Sequence, residues 1–142
     1  RLALLGRLAR DRHGRPRLEA VIEAFLRPSL EMSQQPGGAH HMRLRARLAM
    51  ERVGNSATQY PEIFDQSNQR YIDALTQALP EVPRLEIFWG FHALLGVQNY
   101  TMANSGRIQH LSAGVCDPTD VEATLKRLVP FIAAGFKALK KA

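Results

Sequence analysis

Five histidines and one cysteine are the side chains best suited to chemistry in this chain: His13, His40, His41, His92, His110 and Cys116. Their spacing does not build a metal site. His40 and His41 are neighbours, so on a helix they point about 100° apart and cannot share an ion. There is no Glu-x-x-His pair and no His-Glu-x-x-His, and one cysteine cannot furnish a zinc set. There is also no Gly-x-Ser-x-Gly elbow and no phosphate-cradling glycine loop. A Cys116 nucleophile would need a base that the sequence does not place; the plain alternative is a small loop-packing residue. The expectation is no catalytic residue, no metal and no cofactor.

His92 is the exception that matters. It falls mid-helix among Phe88, Trp89, Phe91 and Leu95, with Asn99 two turns on along the same face. Both polar side chains are expected to be at least partly buried and to need partners. One reading is a structural hydrogen bond in the core or across a dimer seam. The other is a polar anchor in an apolar ligand pocket, where a few placed polar groups orient the ligand. The residue types leave both open.

The elements that would hold these side chains are helices. Sustained alternation and Asn-Gly or Asp-Gly turns are absent, so no strand is expected. The expected helices run from Arg1 to about Arg12, Pro16 to about Ser33, His40 to Val53, Pro61 to Leu79, Pro83 to Asn104 and Pro118 to Leu139. Pro28 removes a backbone donor and should kink the second near Ala24 to Pro28. In the third, Arg47 and Glu51 form an i,i+4 pair, and Gly54-Asn55 ends it. Ser105 to Cys116 reads as a loop, and Asp117-Pro118 as a helix start.

The fifth helix is apolar around much of its circumference. Leu85, Phe88, His92, Leu95, Asn99 and Met102 share one face, and Ile87, Phe91, Leu94 and Gln98 an adjacent one. Such a helix must be covered on two sides. One cover is its own domain; the other is a ligand cavity or a second copy of the chain. The stripes Phe25/Leu26/Leu30, Met42/Met50 and Phe64/Tyr71 carry the same ambiguity between core and cavity.

The bulk properties bound the answer. At 142 residues and 45% hydrophobic, the chain is expected to be one globular domain spanning 1–142. No apolar run reaches membrane-spanning length. With Cys116 alone, no internal disulfide can form, which fits a cytoplasmic setting. The net charge of +6 comes largely from Arg7, Arg10, Arg12, Arg15 and Arg17 and from Arg43, Arg45, Arg47 and Arg52. These attract phosphate weakly or simply form solvated faces; no aromatics interleave them for base stacking.

The order of elements resembles the C-terminal domain of TetR-family transcriptional repressors. The tail is more specific. Ala78-Leu79-Pro80, Phe88-Trp89-Gly90-Phe91-His92-Ala93-Leu94-Leu95-Gly96, Leu111-Ser112-Ala113-Gly114-Val115-Cys116-Asp117-Pro118-Thr119-Asp120 and Leu128-Val129-Pro130-Phe131-Ile132-Ala133-Ala134-Gly135 are similar to the PsrA-like subgroup.

The resemblance implies an all-α domain of about six helices whose last two form a dimeric four-helix bundle. It also implies a cavity for a small hydrophobic effector, such as a fatty acid or related lipid. The operator-binding helix-turn-helix headpiece of that family has no counterpart in these residues, so DNA contact is expected only through such a headpiece.

On this reading the effector is lined by Phe25, Leu26, Leu30, Met42, Met50, Phe64, Asn68, Tyr71, Phe88, His92, Leu95 and Asn99. The homodimer seam takes Phe91, Leu94, Gln98, Phe131, Ala134 and Ala138. The rivals are a ligand-free dimerisation module and a small helical enzyme acting on a lipid-like substrate through His92.

Overall fold

The computed structural model describes residues 2–50, 62–104 and 106–139 of the chain. Seven helices lie within them: α1 (Leu2–Leu5), α2 (Leu18–Ser33), α3 (Gly38–Met50), α4 (Glu62–Ala78), α5 (Arg84–Ala103), α6 (Arg107–Leu111) and α7 (Val121–Ala138). Among the described residues no strand forms; there is an isolated antiparallel bridge between Arg10 and Pro16. The fold is all-α, as expected. The Glu51 partner of Arg47, the Gly54-Asn55 helix end and the Pro61 helix start lie outside the described residues.

The first helix is shorter than its sequence suggests. Instead of continuing to Arg12, the chain folds back over residues 9–17 as a tight loop. Asp11 holds that loop: its Oδ1 accepts from the backbone N–H of His13 at 2.8 Å and of Arg15 at 2.9 Å. Its own N–H donates to the Arg15 carbonyl at 2.7 Å. A short acidic side chain that satisfies nearby backbone donors offers them an alternative to helix.

α2 is the central element. It touches α3, α4, α5 and α7, with α7 its most extensive neighbour. Val21, Ile22, Phe25 and Leu26 are fully or almost fully buried, and the main cluster adds Tyr71, Leu75, Ile87, Phe91, Leu94, Leu125, Ile132 and Phe136 from α4, α5 and α7. Phe25 sits at the junction, edge-on to Tyr71 with centroids 5.0 Å apart and to Phe91 at 5.3 Å.

α2 runs on through Pro28 to Ser33. A proline at 28 leaves the Ala24 carbonyl without its helical donor. The buried Tyr71 hydroxyl donates to that carbonyl at 3.0 Å. One turn on, Gln98 Nε2 on α5 donates to Ser29 Oγ at 3.1 Å and to the Phe25 carbonyl at 3.3 Å. The carbonyl that the proline exposes is therefore satisfied from α4, and the buried Ser29 hydroxyl beside it from α5, as burial requires.

α2 and α7 are antiparallel and tied at both ends. Lys137 near the end of α7 pairs with Glu19 at the start of α2 at 2.7 Å, and Arg27 pairs with Glu122 at the start of α7. Arg27 also bonds Glu23 one turn back. The α2–α3 link is close: Gly37 takes φ +74°, and a Cβ on Gly38 would fall 1.8 Å from the Met32 carbonyl oxygen. α4 and α5 follow each other through Leu79 to Pro83, with Arg84 clamped to Asp73 at 2.9 Å.

Two expectations about the tail change. The segment read as a loop from Ser105 to Cys116 contains α6. And α7 begins after Asp120, whose Oδ1 accepts from the Ala123 N–H at 2.9 Å. Asp117 instead holds the turn before it, accepting from the Thr119 N–H and hydroxyl.

Candidate functional site

The residues expected to line an effector pocket divide into several groups. Phe25, Leu26, Leu30 and Tyr71 are buried in the main core. Met42 is buried too, but in a separate small cluster with Ala46 and Met102. Asn68, Leu95 and Asn99 are half-buried, while Phe88 and His92 are exposed. The side chains of Met50 and Phe64 lie outside the described residues. The structure thus brings Phe25, Leu26, Leu30 and Tyr71 together as packed core and leaves His92 away from them.

The expected burial of His92 is corrected, and the cause is the orientation of α5. The face that turns inward is Ile87, Phe91, Leu94, Gln98 and Met102. That places three residues expected on a dimer seam, Phe91, Leu94 and Gln98, inside the protomer's own core. Sequence periodicity could not choose, because both faces are comparably apolar. Two contacts decide it. Gln98 bonds the Phe25 carbonyl and Ser29 hydroxyl of α2, and Gly90 allows α7 to approach. A Cβ at Gly90 would lie 2.4 Å from Phe136 Cε1.

The outward face of α5 now carries Leu85, Trp89, His92, Ala93, Gly96 and Tyr100, which recur at helical spacing. Leu85 is 65% exposed, Trp89 58% and Tyr100 62%. His92 stands edge-on to Trp89, with ring centroids 5.9 Å apart. Beside it, the Arg84 guanidinium lies 5.5 Å from the centre of the Phe88 ring. On α7, Phe131 is 73% exposed. Ala134, Gly135 and Ala138 are exposed with it, so the three α7 residues expected on the seam all lie on the outer surface.

A groove of about 550 Å³ opens between the C-terminal half of α5, α6 and the N-terminal half of α7. Its apolar walls include Tyr100, Ile108, Leu111, Val115 and Leu128, and Arg107 and Arg127 also line it. Arg127 is anchored by a 2.7 Å bond from Nη1 to the Ala123 carbonyl. Asp117 and Asp120 border the groove as well, yet both direct oxygens at backbone N–H groups. The Thr119 hydroxyl and N–H hold the Asp117 carboxyl below its ordinary value.

The groove is not legible in the sequence because one of its walls, Arg107 to Cys116, reads as loop. The signal was present in Ile108 and Leu111, one helical turn apart. A volume of this size falls in the range of small-molecule sites, about 300–1,000 Å³. Among the described residues no three His, Cys, Asp or Glu side chains gather as metal ligands. No helix there is long and apolar enough to cross a membrane.

The family described as tetracyclin repressor-like, C-terminal domain matches residues 23–135. The match runs from within α2 to most of α7 and includes the groove and nearly all of the outer face. No curated protein matches the chain at a significant level.

Proposed function

Because the chain belongs to the tetracyclin repressor-like C-terminal domain family, we propose that it is the effector-binding and dimerising domain of a TetR-type repressor, working in the cytoplasm. The observation that carries this reading is the outer face of α5 and α7. Leu85, Trp89, Tyr100 and Phe131 are exposed on it, with small residues between them. Apolar side chains repeated along two adjacent helices form a patch unusual for a monomer. Ala93, Gly96, Ala134 and Gly135 let helices of a second copy come close.

The seam is therefore proposed at Trp89, His92, Gly96, Phe131, Ala134 and Ala138. A four-helix arrangement of two α5–α7 pairs would bury more than about 2,000 Å² in total, as obligate dimers do. Regulation follows by linkage. A small, mainly apolar effector that binds one arrangement of the two subunits more tightly shifts the dimer toward it. Operator affinity changes with the spacing of the subunits. The motifs from Phe88 to Gly96 and from Leu111 to Asp120 support a closer kinship with the PsrA-like subgroup.

Sedimentation at micromolar concentration tests the proposal. The wild type should sediment as a dimer, and Phe131→Arg as a folded monomer. A monomeric wild type would remove the dimerising role.

A further inference from the structure

The groove between α5, α6 and α7 lies against the proposed seam. Tyr100 continues the outer stripe of α5 one turn beyond Gly96, and Leu128 precedes Phe131 by about one turn on α7. Both residues line the groove. A second copy seated on the outer face would therefore adjoin the groove.

We propose that this groove is a ligand site completed by the second subunit, and that its occupant is a compact amphipathic organic anion. The site rests on the dimer reading above and gives the effector a place distinct from the packed core around Phe25. Three observations carry it. The volume, about 550 Å³, holds a small molecule rather than a few waters.

The second observation is the walls. Leu111 and Val115 stand exposed on α6 and its following turn, and Tyr100 and Leu128 line the same groove. Large aliphatic side chains gathered at one opening offer apolar surface that a ligand would take out of water.

The third is charge. The two carboxylates at the rim are engaged by the backbone: Asp120 caps α7 through Ala123, and Asp117 accepts from Thr119. Arg127 carries five donors, and its bond to the Ala123 carbonyl fixes the guanidinium on the groove wall. A carboxylate, sulfonate or phosphate head group is the partner such a donor set fits. A ligand spanning both subunits would bind the dimer and not the monomer, so it must strengthen association by the same factor that association strengthens its binding.

Two dyes test this: 1-anilinonaphthalene-8-sulfonate, and N-phenyl-1-naphthylamine, its uncharged counterpart. Both brighten when taken out of water. The wild-type dimer should bind both, and Leu111→Glu should weaken both by about tenfold while sedimenting as a dimer. Val115→Glu gives a second, independent test of the same wall. Arg127→Gln should weaken the sulfonate dye alone. Phe131→Arg should lose both dyes, with circular dichroism reporting an intact fold.

A dimer whose affinity for both dyes is untouched by Leu111→Glu and Val115→Glu overturns the site. Equal loss of both dyes in Arg127→Gln overturns the anion. A folded Phe131→Arg monomer that binds as tightly as the wild type overturns completion by the second subunit. A monomeric wild type overturns the dimer reading itself, and is told apart from the other results by sedimentation alone.

Discussion

The Tyr71 hydroxyl donates to the Ala24 carbonyl at 3.0 Å, the acceptor that Pro28 leaves without a helical partner. A defect in one helix is repaired by a side chain from another. Tyr71 is fully buried, so water cannot take its place without entering the core. Tyr71→Phe keeps the ring contact with Phe25 and removes only the donor. It should destabilise the fold by about 1–3 kcal/mol, the cost of a buried unsatisfied group. Urea denaturation should show a lower midpoint with an unchanged slope.

Gly90 gives the second prediction. An alanine in mid-helix normally gains about 1 kcal/mol over glycine. Here its Cβ would meet three ring atoms of Phe136 at 2.4, 2.8 and 3.0 Å. Phe136 is itself 2% exposed and has little room to move. Overpacking of this kind costs about 1–3 kcal/mol, so Gly90→Ala should be net destabilising. Adding Phe136→Leu should recover part of the loss in a thermal melt, and a double-mutant cycle would show the coupling.

Acid should loosen the α2–α7 pairing. Arg27 holds the Glu122 carboxyl below its ordinary value of 4.5, and the Lys137 bond does the same for Glu19. The carboxylates in turn raise the Arg27 pKa. A carboxyl depressed in the folded state adds stability that is whole above the unfolded value of 4.5 and is lost as pH falls through the folded one. Stability should thus be level from neutral pH down to about 5 and then fall. The double variant Glu19→Gln, Glu122→Gln should flatten the acid limb in denaturant titrations. Both pairs are largely exposed, so salt should blunt the effect.

The legible and illegible parts of this chain follow from what kind of information periodicity carries. Helix existence came through, because apolar spacing and Pro or Gly boundaries are local. The fold-back over residues 9–17 is not legible, since Asp11 holds it through bonds to the His13 and Arg15 N–H groups rather than by propensity. α6 was missed because five residues give too little period to read. The inward face of α5 is not legible from its spacing: Gln98 and Gly90 decide it, and their partners, Phe25, Ser29 and Phe136, lie far away in sequence. On α7 Glu122 and Lys137 stand beside α2, where they pair with Arg27 and Glu19, and Phe131, Ala134 and Ala138 fall on a different, exposed side.

The reversal of α5 changes what His92 can do. An imidazole expected to anchor an effector instead stands on the outer surface against Trp89. If α5 forms half of the dimer seam, a fixed charge at 92 must be desolvated when two copies meet. His92→Asp should then give a monomer with unchanged helicity, because the residue contributes nothing to the protomer's own core. Exposed substitutions away from packed features shift stability by no more than about 0.5 kcal/mol, so the monomer's melt should hardly move. Sedimentation and circular dichroism on one sample read both quantities. An intact His92→Asp dimer would take the centre of α5 out of the interface and leave the Phe131 face of α7 to form it alone.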